Sequence, residues 1–284
     1  MSDRVLHALI QGPSGSGKTS MLAGAANMGI RVIHLCLGSE SAEPLRYFTK
    51  PECRKNLELL HFRDTYELAA DDDPEQRGLR IGSRMISQVE KFLFSGKLGS
   101  RKDVTQPYGH PQEWGPATLV AVDGLTPLGD SAEARALELN PTTREGHHLW
   151  VAGQAQKGVA QLGRTLNCHF LFLCHIDIKG PKPETGYKDE TELQKQIKRE
   201  RAQIEETGYF PQACSVKISR NFPHQFPFSL LTETDVEQVT RANPSGRVVR
   251  TGPVPGYLIK CPVNVKDRLP IMDAIPTILN AMEE

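Results

Sequence analysis

The sequence GPSGSGKT occupies residues 12–19 and follows an apolar run at residues 5–10. It matches the pattern G-x-x-x-x-G-K-[S/T] at every fixed position. Glycines let a backbone wrap closely around phosphate oxygens with its N–H groups pointing inward, and a helix that begins near Lys18 adds the positive end of its dipole. A strand, this loop and a helix in that order predict an α/β fold whose first loop holds a polyphosphate.

The loop pattern assigns chemistry to individual side chains. Lys18 is expected to contact the β- and γ-phosphates, and the Thr19 hydroxyl is expected to bind Mg²⁺. The predicted ligands are therefore ATP and Mg²⁺. The predicted nucleotide-binding residues are Gly12, Pro13, Ser14, Gly15, Ser16, Gly17, Lys18, Thr19 and Ser20.

Outward from the loop, apolar runs alternate with helical patterns. Short apolar runs of this kind predict buried parallel strands, and the segments between them predict helices on both faces of the sheet. The predicted strands lie at 6–11, 31–37, 57–62, 118–122 and 169–174, and the main helices at 18–27, 81–94 and 149–166.

The sequence pattern changes from about residue 213, where shorter apolar runs are separated by Pro and Gly. These runs predict antiparallel strands added to the same sheet, followed by a closing helix. We expect one domain over residues 1–284. The predicted late elements are strands at 215–219, 227–232, 247–251 and 257–261, a helix at 271–282, a surface insertion at 96–115 and a charged loop with a helical run at 176–212.

A second carboxylate is expected on the magnesium side of such a loop. Asp123 follows the apolar run at 118–122, and ligands of open α/β sheets bind at the carboxyl ends of the strands. An aspartate after a strand is also a common helix cap or turn residue. Together with the glycine-rich loop, this position predicts that Asp123 is the second Mg²⁺ residue, beside Thr19.

Composition excludes several classes of protein. The 284 residues contain 34 Lys and Arg against 34 Asp and Glu, so contact with nucleic acid must come from a local patch rather than from a global basic field. The six cysteines form no C-x-x-C pair, which favours a reducing compartment. No stretch approaches the roughly 20 apolar residues that a membrane span needs. We therefore expect a cytoplasmic protein without membrane contact.

The motifs together resemble those of the RecA-like P-loop ATPases. Asp123 is followed by Gly124 rather than by a glutamate. Glu40 lies just beyond the second predicted strand, where the resemblance places the glutamate that orients the attacking water. His175 ends the strand 169–174 and is similar to the polar residue that senses the γ-phosphate in this family.

The resemblance extends to the C-terminal part of the chain. Lys266 and Arg268 are similar to the Lys-x-Arg element with which RecA-like recombinases and hexameric helicases reach a neighbouring subunit's nucleotide. The whole set most resembles phage RecA-like single-strand annealing ATPases. It implies a homo-oligomeric ring or filament, acting on single-stranded DNA in recombination, annealing or replication, with DNA contacts at about 129–148 and 179–201. If the protein is encoded by a phage, the compartment is the host cytoplasm.

Other interpretations of the same residues remain open. Glu40 also suits the start of a helix, His175 with Cys174 contains two potential metal ligands, and Lys266 and Arg268 are also ordinary surface charges. For the whole protein, the alternatives are a small-molecule P-loop kinase with residues 179–201 as a basic lid, and a nucleotide-gated assembly or adaptor protein with little hydrolysis.

Overall fold

The computed structural model describes most of the chain. No helix in this part of the chain is both long and apolar enough to span a bilayer. The described residues are 4–38, 42–68, 79–98, 108–140, 147–177, 210–211, 221–235, 243, 246–255 and 257–284.

The centre of the structure is a mostly parallel sheet. Its strand order is β11-β10-β9-β1-β7-β6-β2-β3, and neighbouring strands from β9 to β3 run parallel. The strands β10 and β11 are antiparallel additions. The bounds are β1 His7–Gly12, β2 Arg31–Leu37, β3 Leu57–Phe62, β6 Thr118–Asp123, β7 His169–Asp177, β9 Phe228–Thr234, β10 Arg247–Arg250 and β11 Arg268–Pro270.

Three short strands lie outside this path. The strands β4 and β5 form a separate antiparallel pair, and β8 pairs antiparallel with the end of β7. Their bounds are β4 Thr65–Leu68, β5 Leu79–Ser83 and β8 Phe210–Pro211.

Helices cover both faces of the sheet, as continuous apolar strands require. On one face, α1 packs against α2 and α6, and on the other α3, α4 and α5 pack against one another. Successive strand residues alternate between these two cores. The helices are α1 Lys18–Asn27, α2 Glu43–Phe48, α3 Met85–Ser95, α4 Leu125–Leu139, α5 His147–Arg164 and α6 Ala274–Glu283, with 3-10 turns at Pro51–Asn56, Pro111–Glu113 and Phe222–Gln225.

The predicted α/β class is confirmed: a mostly parallel sheet carries helices on both faces and antiparallel C-terminal strands. The bounds predicted for β2, β3 and α1 agree with the structure at every residue. Local patterning was sufficient there because β2 and α1 are buried along most of their length, and because β3 is a short, mostly apolar run between the polar residues Asn56 and Arg63. The prediction of one domain over residues 1–284 stays a prediction.

Two predictions about strands were wrong. The run 227–232 corresponds to β9, which runs parallel to β1 rather than antiparallel, because it pairs directly with the strand that leads into the glycine-rich loop. The run 257–261 is not a strand in the described residues and makes an isolated bridge between Lys260 and Ser229. The predicted strand 215–219 lies outside the described residues.

The start of the predicted helix 81–94 was also wrong. Residues 81–83 belong to β5, and α3 begins at Met85. The Met85 N–H donates to Asp64 Oδ1 at 2.7 Å, so a side chain distant in sequence sets the start of this helix. The apolar periodicity alone carried no sign of that contact.

The segment 96–115 is only partly a surface insertion. Its residues 99–107 lie outside the described part of the chain, but Trp114 is 4% exposed and its ring lies 5.7 Å from that of Phe92. The Trp114 Nε1–H donates to the Tyr108 carbonyl at 2.7 Å. The end of the segment therefore packs into the core beside α3.

Candidate nucleotide-binding site

The glycine-rich loop joins the end of β1 to the start of α1. Gly15 and Gly17 have φ values of 75° and 98°, in the left-handed region that favours glycine. Ser16 closes the loop, because its N–H and its Oγ both donate to the Pro13 carbonyl, at 3.3 and 2.8 Å. The first amides of α1 have no acceptors within the helix, and its first turn carries no acidic residue. The loop and the helix start together form a site suited to an anion.

Strand β9 supports this loop from behind. The single proton of the Ser16 hydroxyl goes to the Pro13 carbonyl, so the Thr232 hydroxyl donates to Ser16 Oγ, at 2.6 Å. Thr232 Oγ1 also lies 3.3 Å from the Gln11 carbonyl oxygen. A Cβ on Gly12 would lie 2.2 Å from Thr232 Oγ1 and 2.5 Å from the Thr232 carbonyl oxygen. Glycine is therefore required at position 12 by a close approach to β9. Thr232 left no signal in the sequence, because its partner Ser16 lies more than 200 residues away.

Lys18 lies over the loop with its side chain folded back. It is 6% exposed, and its Nζ donates to the Gly12 and Pro13 carbonyls at 2.9 Å each. The third contact of this ammonium is His175 Nδ1, at 3.3 Å. Because an ammonium has no acceptor, Nδ1 acts as the acceptor in this contact. The structure thus places His175 beside the phosphate loop, opposite Gly12 in the pairing of β1 with β7.

Thr19 and Asp123 meet directly, as predicted for the two Mg²⁺ residues. The Thr19 hydroxyl donates to Asp123 Oδ2 at 2.7 Å. The same oxygen lies 3.0 Å from His34 Nε2, and the His34 side chain is 0% exposed. Burial alone would raise the pKa of Asp123, but the hydrogen bond and charge of His34, the Thr19 hydroxyl and the Lys18 charge together hold it below its ordinary value. Asp123 is therefore set up to be ionised.

The donor set fits Mg²⁺ bound together with a nucleotide. Among the described residues there is no group of three or more His, Cys, Asp or Glu side chains that would hold a metal by themselves. Magnesium keeps several waters and is usually bound through one or two protein oxygens and substrate phosphates. The Thr19 hydroxyl and the Asp123 carboxylate match that pattern. Both residues line a small cavity beside the glycine-rich loop.

Two adjoining cavities lie at this edge of the sheet. One has a volume of ≈ 180 Å³ and the other of ≈ 650 Å³, and both include Pro44 and Arg247 in their walls. The smaller is lined by Ser14, Gly15, Gly17, Lys18, Thr19, Ser20, Pro44, Asp123, His175 and Arg247. The larger is lined by Glu43, Pro44, Arg46, Tyr47, Phe48, Arg54 and Arg247. A ligand with its phosphate chain in the smaller cavity would extend towards the larger one.

Arg247 and Tyr47 are candidate site residues that the sequence analysis missed. Arg247 begins β10, and its Cδ lies 3.0 Å from where a Cβ on Gly17 would stand. Tyr47 is 80% exposed at the mouth of the larger cavity. An aromatic residue soon after β2 was a weak but usable signal for Tyr47. The sequence contained none for Arg247, because its position depends on how β10 pairs with β9.

The remaining predicted catalytic residues are placed differently. Glu40 lies outside the described residues, so its role stays a prediction. Arg268 is in β11, where it forms an ion pair with Asp235 at 2.7 Å, and Lys266 is an exposed residue just before that strand. Neither cation lines the two cavities. Their role at a neighbouring subunit's nucleotide stays a prediction.

The first predicted DNA-contacting segment, 129–148, is not a continuous loop. Its residues 129–139 belong to α4, whose buried residues include Gly129 and Ala132, and residues 147–148 begin α5. The second segment, 179–201, lies outside the described residues. The part of α4 that packs into the core does so because it forms a helical pair with α5.

No protein-family model and no curated protein matches this chain. Among solved structures, the RadB recombinase crystal structure is 17% identical, covering 87% of this chain and 79% of that one, with a TM-score of 0.39. A prototypical ATPase from the type III secretion system of pathogenic bacteria is 10% identical, covering 84% and 54%, with a TM-score of 0.41. The assignment of the fold rests on the strand order and loop geometry of this chain.

Proposed function

We propose that this protein is a Mg²⁺-dependent ATPase of the RecA-like type. The observation that carries the proposal is the 2.7 Å hydrogen bond from Thr19 to Asp123 beside the phosphate loop. It joins the first turn of α1, the helix that follows β1, to the end of β6, and β7 lies between β1 and β6 in the sheet. A phosphate loop with a hydroxyl and an ionised carboxylate on one side is the arrangement used to bind a nucleoside triphosphate with magnesium.

Binding of ATP would use groups that already face the smaller cavity. Loop amides and the start of α1 would take the β- and γ-phosphates. Lys18 would exchange its contacts with the Gly12 and Pro13 carbonyls for phosphate oxygens, a short movement because its Nζ already lies over the loop. The nucleoside would extend into the larger cavity, where Tyr47 offers a ring for stacking and Arg46 and Arg54 offer positive charge.

Hydrolysis would use residues around the γ-phosphate. Thr19 and Asp123 would hold Mg²⁺, and the chemistry supplied by bound Mg²⁺ is neutralisation of charge on the β- and γ-phosphate oxygens. Glu40 would orient the attacking water, and His175, 3.3 Å from Lys18, would contact the γ-phosphate. Positive charge fixed beside the transferred group stabilises the transition state because it need not reorganise during the reaction.

The biological setting that we propose follows the resemblance in the sequence. We place the protein among phage-type RecA-like annealing and recombination ATPases that assemble as rings or filaments on single-stranded DNA in the cytoplasm. Arg268, and with it Lys266, would reach the nucleotide of the adjacent subunit. Turnover would then depend on assembly, so that isolated protomers hydrolyse slowly and single-stranded DNA accelerates them.

Calorimetry with ATP and Mg²⁺ tests the binding step. The wild type and the control Lys157→Ala, a change in α5 remote from both cavities, should bind ATP equally. Lys18→Ala should bind about 10- to 100-fold more weakly, because hydrogen bonds to a charged group contribute about 1.5–3 kcal/mol each. Equal affinity in Lys18→Ala, or no uptake by the wild type, contradicts the proposal.

ATP turnover with and without single-stranded DNA tests the rest. Stimulation by DNA, and partial rescue of Arg268→Ala by added wild-type protomers, are the expected results. Transfer of phosphate to a metabolite would indicate a small-molecule kinase instead. Intact ATP after long incubation, together with ATP-dependent assembly, would indicate an adaptor protein.

A further inference from the structure

His34 is a buried polar residue in an otherwise apolar strand. From Val32 to Leu37 its neighbours in β2 are all apolar and 0% exposed, as is His34 itself. Burying an imidazole costs free energy unless its nitrogens form hydrogen bonds. A histidine at this position therefore calls for a specific partner.

That partner is Asp123. His34 Nε2 lies 3.0 Å from Asp123 Oδ2, whereas Nδ1 is buried and has no hydrogen-bond partner among the described residues. Because an ionised carboxylate accepts only, Nε2 carries the proton in this bond. The ring thus leaves one nitrogen unsatisfied while keeping its bond to the carboxylate.

The sheet register explains how His34 reaches Asp123. His34 is paired with Ala121 on β6, and Ala121 shares a strand face with Asp123, two residues on. The small side chain of Ala121 leaves room for the imidazole to extend along β6. Thr19 approaches the same oxygen from α1, so Oδ2 accepts two hydrogen bonds, at 2.7 and 3.0 Å.

Two donors on one oxygen restrict the rotation of the carboxylate. Asp123 Oδ1 accepts no hydrogen bond among the described residues, so it is the oxygen left for the cavity. Thr19 alone is a weak restraint, because its hydroxyl is also expected at the metal and rotates easily. The His34 side chain is buried in the sheet, and its one hydrogen bond among the described residues is the bond to Asp123.

We propose that His34 is a positioning residue that fixes the orientation of Asp123 and thereby sets how strongly Mg²⁺ increases the affinity for ATP. This inference rests on the proposed function. Partners of metal-binding side chains typically contribute 10- to 100-fold in metal affinity or activity. His34 belongs to that class through a single, fully buried hydrogen bond.

The test measures ATP affinity by calorimetry, once in EDTA and once with Mg²⁺. In His34→Leu, affinity in EDTA should stay within about 2-fold of the wild type, while the gain on adding Mg²⁺ should fall about 10- to 100-fold. His34→Gln retains an N–H donor of similar reach and should keep most of the gain. The control His61→Leu, an exposed residue on neighbouring β3, should leave both affinities unchanged.

Two further measurements separate positioning from folding. The asparagine of His34→Asn is polar but too short to reach Asp123 Oδ2, so this variant should also lose the affinity gain from Mg²⁺. It provides the test if His34→Leu folds poorly. Electron paramagnetic resonance of Mn²⁺ should show weaker metal binding to the ADP-bound His34→Asn protein than to the His34→Gln protein.

The outcomes separate this inference from the proposed function. A full Mg²⁺ gain in His34→Asn and His34→Leu overturns the role of His34 alone. An equal loss in EDTA and in Mg²⁺ also overturns it, because that pattern indicates a merely structural residue. If the wild type binds no ATP in either condition, the proposed function is overturned and His34 has no such role.

Discussion

The phosphate loop and the acid side of the cavity are built in opposite ways. The loop is one continuous segment, residues 12–19, whose geometry follows from its glycines and from the helix that begins at Lys18. The acid side combines single residues from β2, β6 and β7, namely His34, Asp123 and His175, with Thr19 from the loop. A sequence motif encodes the loop. The residues of the acid side come together only because of the order of the strands in the sheet.

The difference also appears in what supports each side. The loop is held by local hydrogen bonds from Ser16 and by the side chain of Thr232. Asp123 is held by partners 89 and 104 positions away in sequence. Changes to the loop should therefore alter nucleotide binding itself, whereas changes on the acid side should alter what magnesium adds to it.

The largest effect is expected for Asp123→Asn. The amide keeps an oxygen for the Thr19 hydroxyl but loses the charge, so Mg²⁺-dependent ATP turnover should fall about 100-fold or more, because metal-assisted charge stabilisation contributes several kcal/mol. ATP affinity in EDTA should change little. Steady-state turnover and calorimetry measure the two effects. Asp130→Asn, an exposed residue on α4, is the control and should behave as the wild type.

The second prediction concerns the loop side and compares two glycines. In Gly12→Ala the new Cβ would overlap Thr232, so the free energy of unfolding should fall by about 3 kcal/mol and ATP binding should be lost. In Gly15→Ala nothing lies within 4 Å of the new Cβ. The free energy of unfolding should fall by only about 1–2 kcal/mol, because alanine is strained in the left-handed backbone conformation of this position. Urea unfolding measures both. Equal losses would mean that contact with β9 does not constrain the loop.

A smaller effect is expected where the two sides meet, at Arg247. Removing this cation from the shared wall in Arg247→Ala should weaken ATP binding about 10-fold, with or without Mg²⁺, because it would contact the nucleotide rather than the metal residues. Arg164→Ala, an exposed change at the end of α5, is the matched control. A loss confined to Mg²⁺-containing buffer would instead place Arg247 with the acid side.

The smallest effect concerns the opposite end of β7 from His175. Burial lowers the pKa of His169 to about 4, and its Nδ1 accepts the Leu6 N–H at 2.9 Å. Its pKa in the unfolded chain is about 6.5, so the unfolded state binds the proton first as the pH falls. The stability from this group is complete above pH 6.5 and is lost towards pH 4.

That loss should have a slope of up to about 1.4 kcal/mol per pH unit. Urea unfolding at pH 7, 6 and 5 measures it, and His169→Gln should remove this part of the pH dependence. A wild-type slope that the variant shares would show that other groups cause it. Because His169 lies far along β7 from the loop, ATP affinity should not change in this variant.

Much of the fold could be predicted from local patterns. The bounds of β2, β3 and α1 could be predicted from the sequence. Burial along most of β2 and α1 leaves a continuous apolar signal, and polar residues on either side mark the ends of β3. The start of α3 could not be predicted, since Asp64 sets it from the connection between β3 and β4. Nor could the direction of β9, which depends on pairing with β1 across more than 200 residues.

The candidate site divides in the same way. The linear sequence shows both a loop motif and a carboxylate at the end of a strand. These two features were enough to predict Lys18, Thr19 and Asp123. Tyr47 left a weak signal as an aromatic residue soon after β2. His34, Thr232 and Arg247 left none, because a histidine in an apolar run, a threonine in a strand and an arginine after a turn are all ordinary in sequence.

The order of a buried strand, a glycine-rich loop and a helix follows from residues 5–27 alone, because glycine freedom, helix dipole and apolar burial act over a few neighbouring residues. The side chains that surround the loop depend instead on the folded sheet. Parallel strands bring residues together by their order in the sheet, and that order arises from packing of the whole core rather than from any local preference. His34 beside Asp123 is the clearest case, since two buried strands had to become neighbours before the imidazole had a partner.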